Sequence, residues 1–241
     1  MLFRSLALSF ILKSRQHSAS EETWLLWLKL EALVNGKAEA IQKGIDADRY
    51  TAPFQNKLAE MLVEDGRRAE AINQLKASIN EIPAEKGSVS LYTFCAELLN
   101  QEGKRGEAIN LLKEGIGKIP AEKNLVDLYV SCAELLNQEG KRGEAIALLK
   151  DGIGKIPADK SLVALYVSCA ELLNQEGKRD GAIALLKDGI GKIPAEKNLF
   201  SLYQFCAELL NQEGKRDDAI ALLKDGIGKI PADKSLVALY V

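Results

Sequence analysis

Apolar residues recur along most of the chain at intervals of three or four positions, which is the spacing of helices with one buried face. Between residues 87 and 123, Leu91 and Cys95 lie on the apolar face of a predicted first helix. Ile109, Leu112 and Ile116 lie on the apolar face of a predicted second helix. No segment alternates apolar and polar residues as a half-buried strand does, so the predicted fold class is all-α.

Glycine and proline mark the ends of these two predicted helices. Gly103 follows the first helix, at the position where a left-handed residue commonly ends a helix. Pro120 closes the second helix, because proline disfavours helical backbone at the residue before it. Two amphipathic helices cannot bury both of their apolar faces alone, whereas stacked copies can. The unit therefore predicts a solenoid.

The unit is repeated along the chain. The string CAELLNQEGKR begins at Cys95, Cys132, Cys169 and Cys206, with a step of 37 residues. Prolines and tyrosines follow the same step, and a diverged copy lies upstream around Gly66. The predicted organisation is an N-terminal helical cap with a degenerate repeat at 1–53, repeats at 54–86, 87–123, 124–160, 161–197 and 198–234, and an incomplete further repeat at 235–241.

These residues resemble the tetratricopeptide repeat (TPR) family over about residues 21–241. The family pattern is a small residue in the first helix, glycine at the turn, alanine in the second helix and proline at its end. Here Ala96, Gly103, Ala108 and Pro120 take those positions. The resemblance implies an all-α fold, a right-handed α-solenoid of TPR-like helix-turn-helix repeats. It also implies a non-enzymatic scaffold for protein–protein interaction.

Two features depart from the family pattern. The step of 37 residues exceeds the family's usual step of about 34 residues. Gly115 and its equivalents stand where the family usually has alanine. Because glycine inside a helix costs up to about 1 kcal/mol relative to alanine, the second helices are predicted to fray at the GIGKIP segment.

In the TPR family the first helices line a concave groove that binds peptides or partner helices. The resemblance implies a ladder of carboxylates and amides there. The groove candidates are Glu97, Asn100, Gln101, Glu134, Asn137, Gln138, Glu171, Asn174, Gln175, Glu208, Asn211 and Gln212. Carboxamides both donate and accept hydrogen bonds, which suits the backbone of an extended peptide. The glutamates favour lysine or arginine in that peptide. The alternative is a polar surface repeated along with its unit.

The copies differ mainly at three positions of the first helix, whereas AELLNQEGKR is unchanged in all four. The varying sets are Ser90, Asp127, Ala164 and Ser201; Thr93, Val130, Val167 and Gln204; and Phe94, Ser131, Ser168 and Phe205. This pattern is typical of a fixed scaffold with an adjustable binding face. Drift between the copies is the alternative.

Composition limits the kinds of ligand and reaction that this chain is predicted to support. The 241 residues carry 32 Lys and Arg against 34 Asp and Glu, a net charge of -2, which lacks the electrostatic footprint of a nucleic-acid binder. The only histidine is His17, and the four cysteines lack C-x₂-C metal spacing, so no catalytic site, metal or cofactor is predicted. The cysteines are predicted to be small buried hydrophobes. Unpaired cysteines fit a reducing compartment, and cytoplasmic localisation is expected.

The two ends of the sequence leave alternatives open. The first 20 residues are basic and acid-poor. They are interpreted as an amphipathic helix that packs on the first repeat, with a cleaved targeting peptide as the alternative. The apolar run from Leu6 to Leu12 is too short for a membrane span.

At the other end, SLVALYV at 235–241 repeats 161–167, so the sequence stops inside a first helix. A fragment of a longer array is expected. The alternative is a homo-oligomer, a dimer or filament, formed through Leu236, Leu239 and Tyr240. A third interpretation makes the chain the sensor arm of a larger signalling protein.

Overall fold

The computed structural model describes residues 20–47, 51–83, 88–120, 125–157, 162–194 and 199–229. Within these ranges every regular element is an α-helix, which confirms the predicted fold class. The helices are α1 (Glu21–Asn35), α2 (Lys37–Asp46), α3 (Ala52–Glu64), α4 (Arg68–Glu81), α5 (Val89–Gln101), α6 (Arg105–Lys118), α7 (Val126–Gln138), α8 (Arg142–Lys155), α9 (Leu162–Gln175), α10 (Arg179–Lys192), α11 (Phe200–Gln212) and α12 (Arg216–Lys229).

The chain divides into two compact units, Met1–Ile119 and Pro120–Val241. In the first unit α1 packs on α2, α3 on α4 and α5 on α6, and each pair stacks on the next. The second unit has the same arrangement of α7 with α8, α9 with α10 and α11 with α12. The predicted helix-turn-helix repeats, stacked in succession, are therefore confirmed within each unit.

Each pair turns at a glycine, as predicted. Gly103 has a φ of 75°, a left-handed conformation that glycine adopts at no steric cost. The amide of Lys104 donates to the carbonyl of Leu99 at 2.9 Å, and the amide of Gly103 donates to the carbonyl of Asn100 at 3.0 Å. These two bonds form a Schellman motif, which satisfies the last carbonyls of α5 and reverses the chain.

The second helices bury a face that differs from the predicted one. Ala108, Ile109 and Leu112 are buried in α6, but Gly115 lies on this buried face while Ile116 is only half-buried. The helices also continue through the GIGK segment to Lys118, Lys155, Lys192 and Lys229. The prediction that this segment frays is therefore wrong.

Close packing against a tyrosine ring explains why glycine stands in the second helix where the family usually has alanine. A Cβ atom placed on Gly189 would lie 2.9 Å from Cγ and Cδ1 of Tyr166, closer than packed carbon atoms come. Gly152 meets Tyr129 at 2.9 Å in the same way. The ring of the first helix thus occupies the space that an alanine methyl group would fill. Because Tyr129 lies near the start of α7 and Gly152 near the end of α8, the two helices run antiparallel.

The first pair has its own core. Trp24, Trp27 and Leu28 are buried, whereas Leu25 is half-buried. Trp24 meets Trp27 edge-on with ring centroids 5.8 Å apart. It meets Phe54 of α3 in the same way at 5.8 Å, which ties the first pair to the second.

None of the helices in the described ranges is both long enough and apolar enough to cross a membrane. Two groups of predictions fall outside the described residues. One concerns the segment before Ser20, including His17. The other concerns Leu236, Leu239 and Tyr240.

Candidate interaction surface

The first helix of each repeat presents one continuous exposed face. In α5, Ser90, Glu97 and Gln101 are exposed, and Thr93 and Phe94 are half-buried. Their spacing of three, four or seven positions places them on one side of the helix. We call these positions of α5, together with Asn100, the first-helix face of the first unit, and the equivalent positions of α7, α9 and α11 the first-helix face of the second unit.

The predicted glutamates and glutamines of this face are exposed or half-buried in all four copies. They are Glu97, Gln101, Glu134, Gln138, Glu171, Gln175, Glu208 and Gln212. The positions that vary between copies lie on the same face and are mostly exposed or half-buried. The variation in sequence therefore falls where an approaching molecule would contact it.

Two carboxylates of this face interact in the second unit. Although Glu171 of α9 is an exposed residue, desolvation by the surrounding protein raises the pKa of its carboxyl group. Repulsion from Glu134 of α7 raises it further. The two glutamates occupy equivalent positions on packed helices, so this part of the face holds like charges close together.

The asparagines have a role that sequence reasoning missed. The side-chain carbonyl of Asn100 accepts a hydrogen bond from Nε of Arg105 at 2.9 Å, across the turn between α5 and α6. The same bond joins Asn137 to Arg142 at 2.9 Å. Asn174 accepts from Arg179 at 3.2 Å, and all three asparagines are half-buried. These amides hold the turn, which leaves the glutamates and glutamines as the more accessible groups of the ladder.

Lysine and arginine at the turns pair with acidic residues. Arg68 reaches Glu102 of the next repeat at 3.1 Å, and Arg179 reaches Glu213 of the next repeat at 3.3 Å. Lys215 reaches back to Asp180 at 3.1 Å. These basic side chains therefore lie at a solvent-exposed edge, where they form ion pairs. Because exposed ion pairs contribute only about 0–1 kcal/mol each, they align repeats more than they stabilise them.

All four cysteines are buried, as the sequence predicted, and they form no disulfide with one another. Sγ of Cys169 lies 4.0 Å from the carbonyl oxygen of Ile146, and Cys206 lies 3.9 Å from that of Ile183. Each of these thiols therefore packs on the second helix of the preceding repeat. Burial raises the pKa of Cys169 and Cys206 to about 11. The described residues contain no group of three or more His, Cys, Asp or Glu placed to hold a metal ion.

These thiols predict a loss of stability in alkaline solution. The folded state keeps the proton up to a pH of about 11, whereas the unfolded thiol loses it near 9.0. The contribution of these buried thiols to the stability of the fold is therefore fully present below pH 9 and is lost as the pH rises from 9 to 11. By pH 10.5 we expect each of these thiols to lower the free energy of unfolding by on the order of 1–2 kcal/mol.

Urea unfolding at pH 8 and pH 10.5 measures this loss. In a Cys169→Ala/Cys206→Ala variant the difference between the two pH values should shrink. An equal difference in variant and parent chain would assign the alkaline loss to other groups, such as Tyr129, whose pKa is raised to about 12 by burial and then by its hydrogen bond to Asp151.

No protein-family model and no curated protein matches the chain. Solved structures similar to it include a Podosopora anserina protein with nearly identical TPR-like repeats, at 17% identity over 71% of this chain and 91% of that one, with a TM-score of 0.49. MamA is similar at 18% identity over 71% and 87%, with a TM-score of 0.49. TTC0263, a TPR protein of Thermus thermophilus, is similar at 20% identity over 76% and 94%, with a TM-score of 0.45.

With each of these TM-scores below 0.5, the class of this chain follows from its own helix packing. Glycine-turned helix pairs stacked in succession within each unit define a helical-repeat protein with TPR-like repeats.

Proposed function

We propose that the chain is a non-enzymatic binding scaffold that docks an extended, basic segment of a partner protein on the first-helix face of the second unit. The observation that carries the proposal is the row of exposed carboxylates in the second unit, Glu134, Glu171 and Glu208. Desolvation and, to a lesser extent, repulsion from Glu134 raise the pKa of Glu171, and a lysine or arginine placed between the two carboxylates would offset that repulsion.

The charge distribution supports a basic partner. The whole chain is nearly neutral, and Arg142, Arg179 and Lys215 at the turns are partnered by Asn137, Glu213 and Asp180. At the positions of the first-helix face in α7, α9 and α11, by contrast, the charged residues are Asp127, Glu134, Glu171 and Glu208. Opposite charges across an interface fix the register of the partner and speed its association.

The glutamines support an extended partner. Gln138, Gln175 and Gln212 lie at equivalent positions of successive helices, and each amide can donate and accept one or more hydrogen bonds. An extended backbone carries unpaired N–H and C=O groups along its whole length. Such a row contacts a peptide backbone without requiring one particular sequence, while the varying positions beside it adjust the fit.

Charge reversal tests this function. In a Glu134→Lys/Glu171→Lys variant we expect the affinity for an extended Lys-rich peptide to fall about tenfold or more, equivalent to about 1.4 kcal/mol. The binding of the parent chain should weaken with added salt, because exposed charges are screened. Fluorescence anisotropy with a labelled peptide measures both effects, and circular dichroism checks that the helices remain.

A matched control carries the same change of charge elsewhere. Asp217 and Asp218 are exposed at the start of α12, outside the first-helix face, and both are replaced by lysine. This control should bind the peptide nearly as well as the parent chain does. If the two double variants lose affinity equally, the peptide responds to net charge alone and the assignment to the first-helix face is wrong.

A further inference from the structure

Helix α1, the first helix in the described part of the chain, has an apolar outer face. Three of its large apolar side chains are exposed, Leu26 at 50%, Leu33 at 63% and Val34 at 37%. Leu30 lies between them and is half-buried. The spacing of four, three and one positions gathers them into one stripe on α1. Among the described residues the only other large apolar side chain with such exposure is Ile220.

This apolar stripe corresponds in register to the first-helix face. Leu26, Leu30 and Leu33 precede the turn glycine Gly36 by ten, six and three residues. In the repeats from 87 onward, the residues at those distances before the turn glycine are positions of the first-helix face, and most of them are polar. The side of α1 that carries this apolar stripe is therefore suited to contact another apolar surface rather than a polar peptide.

We propose that residues 2–12 of the same chain dock on this stripe as a helix. Seven of these eleven residues are leucine, phenylalanine or isoleucine. Phe3, Leu6 and Phe10 are spaced as one face of a helix, with Arg4 and Ser5 between them. The inference is independent of the proposed peptide binding, since it concerns α1 and not the glutamate row.

The length of the connection fits this placement. Ser20 caps α1, where its Oγ accepts a hydrogen bond from the amide of Thr23 at 3.4 Å. Residues 13–19 supply a seven-residue connection, within the usual range of about 2–8 residues between antiparallel helices. An eleven-residue helix is about 16 Å long, and the stripe from Leu26 to Val34 extends about 12 Å. The segment can therefore turn back and cover the whole stripe.

Charge and tethering favour this segment over a second copy. Residues 1–19 include Arg4, Lys13 and Arg15 and no acidic residue, while Glu22, one helical turn before Leu26 on α1, is exposed. A segment joined by a short connection also acts at an effective concentration of about millimolar, which a second molecule reaches only in concentrated solution.

Limited proteolysis of the full chain tests the proposal. Trypsin cleaves after Arg4, which lies inside the proposed helix, and a docked helix resists cleavage there. In a Leu26→Asp/Leu33→Asp variant we expect cleavage after Arg4 to be about tenfold faster, because the docked segment loses its apolar partner. Both leucines are exposed in the described structure, so the pair α1 and α2 should stay folded, which tryptophan fluorescence checks.

Ile220→Asp is the matched control, because it replaces an equally exposed apolar residue on α12. It should leave cleavage after Arg4 unchanged. Cleavage in the parent chain as fast as in the α1 variant would overturn the proposal. So would protection that rises with protein concentration together with a doubled mass in light scattering, since a second copy would then be the occupant.

Discussion

Replacing Gly189 by alanine is expected to destabilise the chain, although alanine is the best helix former and glycine nearly the worst. The new Cβ would lie 2.9 Å from the ring of Tyr166, which is fully buried. The ring cannot move aside freely, because its hydroxyl group donates a hydrogen bond to Asp188 at 2.9 Å. Overpacking of this kind costs about 1–3 kcal/mol, more than the helix propensity of alanine returns.

Gly191 provides the matched control two residues away in the same helix. A Cβ at Gly191 would have no neighbour within 4 Å. Gly191→Ala should therefore raise the stability by about 0.5–1 kcal/mol, the usual gain from replacing glycine in a helix. Urea unfolding followed by circular dichroism gives both values. Equal gains for the two variants would show that the ring adapts to the methyl group.

A double variant separates the clash from other effects. Tyr166→Leu removes the ring, so Gly189→Ala added to that variant should cost less than it costs in the parent chain. The difference between the two costs is the coupling energy of this pair of residues. The diverged repeat at 54–86 differs from the other repeats at both of these positions. Gln55 stands there in place of the tyrosine and Ser78 in place of the glycine. Both are buried there, and Gln74 donates a hydrogen bond to Gln55 at 2.9 Å.

The second large effect is expected at Glu31, a buried carboxylate between α1 and α2. It accepts hydrogen bonds from Nε1 of Trp27 at 3.1 Å, from Nδ2 of Asn35 at 2.6 Å and from Nζ of Lys43 at 2.9 Å. The bond to Glu31 is also the largest cause of the raised pKa of Lys43. Glu31→Ala leaves a buried indole N–H without this acceptor and should cost about 2 kcal/mol or more.

The measurement can be local. Trp24 and Trp27 are the two tryptophans of the chain, so tryptophan fluorescence during urea unfolding reports on α1 alone. Glu39→Ala is the control, because Glu39 pairs with the same Lys43 at 3.0 Å but is largely exposed. It should change the free energy of unfolding by less than about 0.5 kcal/mol. If the two variants unfold alike, the buried hydrogen bonds of Glu31 contribute little.

Much of the candidate surface was predictable from the sequence. The positions of Glu134 and Glu171 followed from the helical repeat and the turn glycine, because both patterns depend on residues close together in the chain. The bond between Asn137 and Arg142 was not predictable, since amide and arginine side chains at a turn have several partners within reach. The turn geometry selects one of them.

The sequence by itself determined the helix pairs, their turns and the burial of the cysteines, because spacing of three or four residues and a left-handed glycine are local features. Only the tertiary structure decided why Gly189 faces Tyr166 and why Arg179 reaches Glu213. These pairs join residues 23 and 34 positions apart. Whether such residues meet depends on how helices pack, which no local pattern specifies.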